Sequence, residues 1–286
     1  MSYLNTYSEM MELRGLQPHT LKSYKTYIQA YLTYAETVLQ KDPIDITWDE
    51  LRDFIRYLQN TRGIADRTVN TAISQLRFFT LYVLHKPWDS TQLPYRRFDT
   101  YLPFVPTQNE MRTFFESITD VKLKAIVALM YSAGLRVGEV CALRYEDISR
   151  EKMYIHIRHG KNRSDRYAVL SQTALDSLTA YWFQCGKPKG YLFPNPNDQE
   201  RPMSTFWVSR HIHEQERLLG WEERFTPHSL RHAFGTHLYE NGADLLTIKE
   251  LLGHKSLDST TIYVHLASSM KRRVPNPLDS LMENHD

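Results

Sequence analysis

Over the first 84 residues, apolar side chains return every three or four positions. Leu21, Tyr24, Ile28, Tyr31 and Leu32 keep this spacing after His19 and Thr20. Leu51, Phe54, Ile55 and Leu58 keep it after Thr47 and Glu50, whose separation is that of a capping box. Val69, Ile73, Leu76, Phe79 and Val83 extend it from about Asp66 to Leu84. This is the pattern of four helices, each with one buried face, gathered into a compact bundle. The period is lost between His85 and Pro106, where Pro87, Pro94, Pro103 and Pro106 preclude a long helix and Arg96 and Arg97 sit among aromatics. The chain therefore divides into a helical domain over residues 1–86, a linker over 87–106 and a second domain over 107–286, the last 20 or so residues forming a tail from about Ala267.

The second domain opens on another capping box, Thr107 to Glu110, and a helix from about Val121 to Tyr131 closes near Gly134. Arg136 lies in the turn before a short helix, VGEVCAL, with Glu139 one turn further on. Residues 153–158 alternate, Tyr167–Leu170 resume the alternation, and His159 to Ser164 separate them, which predicts a β-hairpin with a polar tip. A scaffold helix follows from Thr173 to Phe183, presenting Leu175, Leu178 and Trp182. Gly186–Pro202, rich in Pro, Asn and Gly, predicts a surface loop, and a helix around Thr205–Leu218 places His211 and His213 on different faces. The fold class is mainly α with a small β-hairpin, α+β in type.

Chemistry concentrates between Phe225 and His265. Thr226 caps a helix whose first turn holds Pro227, so His228 and Arg231 fall one turn apart on one face. Asp244 caps a second helix with an apolar stripe of Leu245, Ile248, Leu251 and Leu252, and Gly253 is its left-handed stop. His254 emerges from that stop, and Thr260–Leu266 form a short helix carrying Tyr263. Cationic and imidazole donors beside a tyrosine suit one task, holding a phosphate while a phenol oxygen attacks it.

Composition changes this picture little. The chain has 286 residues, 42% of them apolar, with 35 basic against 33 acidic side chains, so any basic surface must be local. The two cysteines, Cys141 and Cys185, are too few for a disulfide framework or a zinc cluster, and Cys141 lies in an apolar run that predicts a core position. The acidic N-terminus lacks a secretory apolar region, and no apolar run approaches the roughly 20 residues of a membrane span. A reducing cytoplasm is the expected setting, in association with the nucleoid if the substrate is DNA. His228 and His232 have the i, i+4 spacing of a zinc helix, but Ser229 stands where a metalloprotease needs Glu and no third ligand follows, so no metal is expected.

The strings YSAGLRVGEVCALRYEDI, TPHSLRHAFGTHL and IKELLGHKSLDSTTIYVH resemble, in order and spacing, the hallmark boxes of the tyrosine recombinase (phage integrase) family, nearest its Xer-type and integron-type members. The resemblance covers most of residues 107–266, and the first hundred residues share only a helical pattern. It implies an N-terminal four-helix SAM-like core-binding domain followed by a tyrosine-recombinase catalytic domain. It further implies site-specific cleavage and rejoining of DNA through a 3′-phosphotyrosyl intermediate and a Holliday junction. Arg136 and Arg231 would clamp the non-bridging oxygens, His254 would add a hydrogen bond, Tyr263 would attack and His228 would be its base. Glu139 and His232 would support these groups. The hairpin lysine of the family, which protonates the departing 5′ oxygen, falls on Lys161. The family's usual glycine after it is Asn162 here, which leaves Arg163 as the alternative.

The same resemblance implies no cofactor, double-stranded DNA with paired recombination sites as partner, and a homotetramer on DNA that exchanges C-terminal tails, with a monomer expected without DNA. Type IB topoisomerases share the chemistry, and a DNA-binding accessory protein that keeps the fold without cleaving is the alternative from another class. The polar face of the last N-terminal helix, Arg67, Thr68, Asn70, Thr71, Ser74 and Arg77, mixes phosphate donors with short side chains suited to base edges, and otherwise reads as a solvated face. His19, Lys22 and Lys25 offer a weaker version. Arg96 and Arg97 in the linker are either phosphate contacts or solubilising charges.

Overall fold

The computed structural model describes residues 2–16, 18–99, 101–158, 165–187, 189–222 and 225–267, and it divides into two compact units, 1–100 and 101–286. Unit 1 contains α1 (Tyr3–Leu13), α2 (Pro18–Tyr34), α3 (Trp48–Asn60) and α4 (Asp66–Tyr82), with a π-helical turn over Ala35–Leu39 extending α2. The expected box at Thr47 is made: its hydroxyl accepts from the Glu50 N–H while the Glu50 carboxylate accepts from the Thr47 N–H at 2.9 Å. Tyr7, Ile28, Tyr31, Phe54, Leu58, Val69, Leu76 and Phe79 form the core, and the Tyr7 hydroxyl donates to the buried Gln75 carbonyl at 2.7 Å. That hydrogen bond lets a polar side chain occupy the inner face of α4.

The expected linker does not behave as one free segment. Trp88 packs edge-on against Trp48, Leu93 is buried, and Arg52 donates to the Gln92 carbonyl at 3.0 Å, so the part before Thr100 belongs to unit 1. Phe104 packs at a tilt against Phe225, ring centroids 5.7 Å apart, and belongs to unit 2. The sequence pattern marked where helix stops, but proline spacing carries no information about which neighbours the intervening aromatics find.

Unit 2 begins with α5 (Gln108–Ser117), opened by the Thr107–Glu110 box, and then α6 (Val121–Ala133), which is buried along almost its whole length. Packed around α6 are α7 (Val137–Ala142), α8 (Gln172–Gln184), α9 (Thr205–Leu218) and α10 (Pro227–Glu240). Strands β1 (Ile148–Ser149), β2 (Tyr154–Ile157) and β3 (Arg166–Val169) form one antiparallel sheet, with Ile155 opposite Ala168 and Ile157 opposite Arg166. Ile155, Ile157 and Ala168 turn inward, which fixes the register because a one-residue slip would expose them. The tip between β2 and β3 lies outside the described residues, and β1 is too short to leave a sequence pattern.

Gly186–Pro202, expected as a surface loop, carries a second sheet of β4 (Pro194–Asn195) and β5 (Asp198–Pro202), and Leu192 and Phe193 before it are buried. Two buried apolar residues suffice to tie the segment down despite its turn-rich composition. The described residues close with α11 (Leu245–Leu252) and α12 (Asp258–Leu266), which join α10 around Phe234, Ile248, Leu252 and Tyr263. No helix among the described residues is long and apolar enough to cross a membrane.

Candidate active site

Four local features aim the site, two of them helix stops. The first is the end of α6, where Gly134 takes the left-handed conformation at φ 61°. A Cβ there would meet the Phe234 ring at 2.5 Å and Leu252 at 2.7 Å, so only glycine allows the turn to lie against α10 and α11. Arg136 follows as the residue capping α7; its N–H donates to Glu139 Oε2 at 2.9 Å and its Nη1 to Glu139 Oε1 at 2.7 Å. The short helix thus holds its own arginine in a defined rotamer.

The second is Arg231, one turn into α10 and 2% exposed. Its Nη1 donates to the Gly134 carbonyl and its Nη2 to the Leu252 carbonyl at 2.6 Å. These acceptors lie at the C-terminal ends of α6 and α11, where carbonyls lack helical partners. Burial, and next the charge of Arg136, lower the guanidinium to about 10, so it remains charged at neutral pH. Arg136 disfavours the charge of Arg231, and two cations held together in this way form a site built for an anion.

The third is the left-handed Gly253, φ 63°, which ends α11 and projects His254. Its Nδ1 pairs with the Thr260 hydroxyl at 2.9 Å. Burial first, then Arg231 and Arg136, push the imidazole down to about 4, so it is neutral at pH 7. This contact occupies Nδ1 and leaves Nε2 as the nitrogen open to an external partner.

The fourth is Gly235 on α10. A Cβ at this position would lie 2.5 Å from Cζ of Tyr263, so the phenol ring rests on the bare helix backbone. Tyr263 is 1% exposed, and His254 lies nearly parallel to it at 12°, with centroids 6.3 Å apart. Burial raises the phenol above its ordinary value, while Arg231 and Arg136 pull the other way. His228 is exposed at the start of α10, its ring 5.4 Å from His232, which in turn lies 6.1 Å from Tyr263. The buried Nδ1 of His232 has no hydrogen-bond partner among the described residues, and burial followed by the charges of His228 and Arg231 lowers this imidazole to about 4.

The structure therefore gathers Arg136, Glu139, His228, Arg231, His232, His254 and Tyr263. Lys161 and Arg163 lie outside the described residues. Sequence reasoning missed Thr260, Gly235 and Arg166. The Arg166 guanidinium grips Glu139 through both oxygens at 2.8 and 2.7 Å. None of the three carries a spacing signal; each acts through a neighbour that only the tertiary fold brings close.

Within unit 1, part of the polar face of α4 holds the segment that follows it. Asn70 donates to the Arg96 carbonyl at 2.9 Å and accepts the Arg96 N–H at 2.8 Å, and Ser74 pairs with the Tyr95 hydroxyl at 3.1 Å. Arg96 also pairs with Asp66 at 2.7 Å, and Arg67 lies over the Phe98 ring. Asn70, Ser74 and Arg96 are thus engaged with one another's neighbourhood, because a side-chain amide beside an extended segment satisfies one donor and one acceptor at once. Arg67, Arg77 and Arg97 are exposed, and Thr68 and Thr71 half-buried.

This arrangement of two arginines, a histidine and a buried tyrosine on elements in this order defines a class, and comparison with known proteins agrees. Residues 106–270 match the phage integrase family and residues 3–90 its N-terminal SAM-like domain. The chain belongs to the phage integrase family and is a tyrosine-type site-specific recombinase. It is 31% identical over 292 residues to the tyrosine recombinase XerA of Pyrococcus furiosus, covering 98% of this chain and 95% of that one. Among solved structures, XerH bound to a palindromic difH substrate aligns with TM-score 0.73 at 20% identity, covering 95% of this chain and 83% of that one. A lambda integrase (75–356) dimer bound to a COC′ core site aligns with TM-score 0.73 at 19% identity, covering 96% and 97%. These two likenesses concern the fold.

Proposed function

We propose that the gathered residues cleave and rejoin DNA strands through a covalent link to Tyr263. The observation that carries this reading is that buried Arg231 ties the stop of α6, two residues before Arg136, to the end of α11, two residues before His254, while His254 lies parallel to the buried Tyr263 ring with centroids 6.3 Å apart. A phosphodiester under attack gains charge on its two non-bridging oxygens, and the two guanidiniums meet it while neutral His254 donates from Nε2. Each such preorganised donor is worth about 3–4 kcal/mol in the transition state. The phenol oxygen forms a bond to phosphorus, its proton passes to a base, and the bond to the 5′ oxygen breaks, leaving a 3′-phosphotyrosyl link. His228 is the proposed base and the hairpin tip, Lys161 or Arg163, the proposed acid. The free 5′ hydroxyl of another strand reverses the step without metal or nucleotide.

Tyr263 is buried in the chain alone, so duplex binding has to open a path to the phenol while its ring keeps its seat on α10. The exposed arginines of α4, with Thr68 and Thr71, are the proposed duplex contacts of unit 1, and the duplex carries paired sites. On DNA the protein acts as a tetramer, with residues after Met270 docking on an adjacent copy. If a chain ending at Met270 assembled synaptic complexes as well as the full one, the tail exchange would be wrong. The chemical reading is tested with duplexes nicked beside the cleavage site, from which the released fragment diffuses away. A covalent protein–DNA adduct on the wild-type chain supports it, and specific binding without adduct assigns an accessory role instead.

A further inference from the structure

One group in the site is not used by the mechanism above. Arg166 stands at the first position of β3, beside the hairpin tip, and its side chain is 11% exposed. Its Nη1 and Nη2 donate to Oε1 and Oε2 of Glu139 at 2.8 and 2.7 Å, and its Nε reaches the Leu251 carbonyl at 3.3 Å. The stem crosses under the stop of α11, where a Cβ on Gly253 would lie 2.8 Å from Arg166 Cδ. One side chain therefore touches the strand leading from the tip, the helix that carries Arg136 and the turn that delivers His254.

The oxygen Oε1 of Glu139 is shared: Arg136 Nη1 donates to it at 2.7 Å and Arg166 Nη1 at 2.8 Å. A carboxylate facing Arg136 alone would form a neutral pair with it and compete with any phosphate for the guanidinium. With two guanidiniums on one carboxylate, a single positive charge is left over. Burial works to raise the Glu139 carboxyl, but the hydrogen bonds and charge of Arg166, and then those of Arg136, hold it at about 2. Glu139 thus stays ionised, and a full counter-charge is needed.

We propose that Arg166 is a positioning residue that takes up the charge of Glu139, so that Arg136 keeps its orientation from that carboxylate and still offers net positive charge to the scissile phosphate. The inference rests on the reading that Arg136 meets phosphate. It makes the strand next to the hairpin tip part of the electrostatics of the phosphate site.

The test is a double-mutant cycle on the full chain: wild type, Arg166→Gln, Glu139→Gln and the double variant, with Arg166→Lys as the conservative change. The probe is a nicked duplex recovered by covalent capture on the wild-type chain from a random-sequence pool. Single-turnover adduct formation and duplex affinity are measured separately, and folding is followed by thermal melting. Arg166→Gln is expected to slow adduct formation on the order of tenfold or more at saturating duplex, with affinity changed about twofold or less. The double variant, which removes the competing carboxylate with its counter-charge, is expected to recover most of that loss, and Arg166→Lys part of it. Recovery in the double variant is what a merely structural role would not give. A double variant as slow as Arg166→Gln or slower, or an Arg166→Gln rate equal to wild type, overturns the proposal. If Arg166→Gln fails to fold, Arg166→Lys against the double variant decides by the same comparison. Failure of the wild-type chain to capture any duplex would instead overturn the reading of the site as a strand-cleaving one.

Discussion

The ring of Tyr263 rests on Gly235, so closely that a methyl group on that glycine would come within 2.5 Å of Cζ. Helix propensity favours alanine over glycine by about 1 kcal/mol in a helix interior, yet the backbone leaves no space for it here. Gly235→Ala is expected to displace the phenol and lower adduct formation on a nicked duplex on the order of a hundredfold, as misplacement of a reacting group by about an ångström does. Melting temperature measured alongside separates displacement of the ring from global unfolding.

Thr260 is fully buried and its hydroxyl meets His254 Nδ1 at 2.9 Å. Thr260→Val keeps the shape of the side chain and removes the hydroxyl that holds Nδ1 of His254. The expected result is a slower cleavage step with unchanged duplex affinity, and Thr260→Ser should restore most of the rate. Equal rates for valine and serine would remove Thr260 from the chemistry.

His254 and His232 each titrate near 4 in the folded chain, against an ordinary 6.5, chiefly because both are buried. Between those values the unfolded chain binds protons that the native chain refuses, so these two groups lower stability as pH falls from about 6.5 towards 4. Glu139 acts at a lower range: held at about 2, its stabilisation is complete above 4.5 and is lost as pH drops through the folded value. Denaturant midpoints measured between pH 7 and 4 should fall steadily, and His232→Phe should flatten the slope. A midpoint independent of pH across this range would contradict the burial of both rings.

In unit 1, Asn70 grips the backbone of Arg96 from both sides. Asn70→Ala is expected to free residues 95–98 and speed tryptic cleavage after Arg96 and Arg97 in the full chain without DNA. If cleavage rates match wild type, the Asn70 amide does not hold that segment.

How much of this was readable beforehand follows from what kind of signal each residue leaves. Helix caps at Thr47, Thr107, Thr226 and Asp244 and the glycine stops at Gly134 and Gly253 are local chemistry, and they are found as the sequence predicts. His228 and Arg231 share a helix face for the same reason. Arg166, Thr260 and Gly235 were not legible, since their importance lies in partners 27, 6 and 28 positions away that only the tertiary fold brings close. The fate of Gly186–Pro202 was missed because two buried residues outweigh a turn-forming composition.

The most direct measurement is peptide mapping by mass spectrometry of the chain after reaction with a nicked duplex. Attack by the phenol predicts a nucleotide remnant on the peptide containing Tyr263, joined through a 3′ phosphate, and no adduct from Tyr263→Phe with duplex binding retained. A remnant on any other residue, or an undiminished adduct from Tyr263→Phe, would contradict the role given to Tyr263.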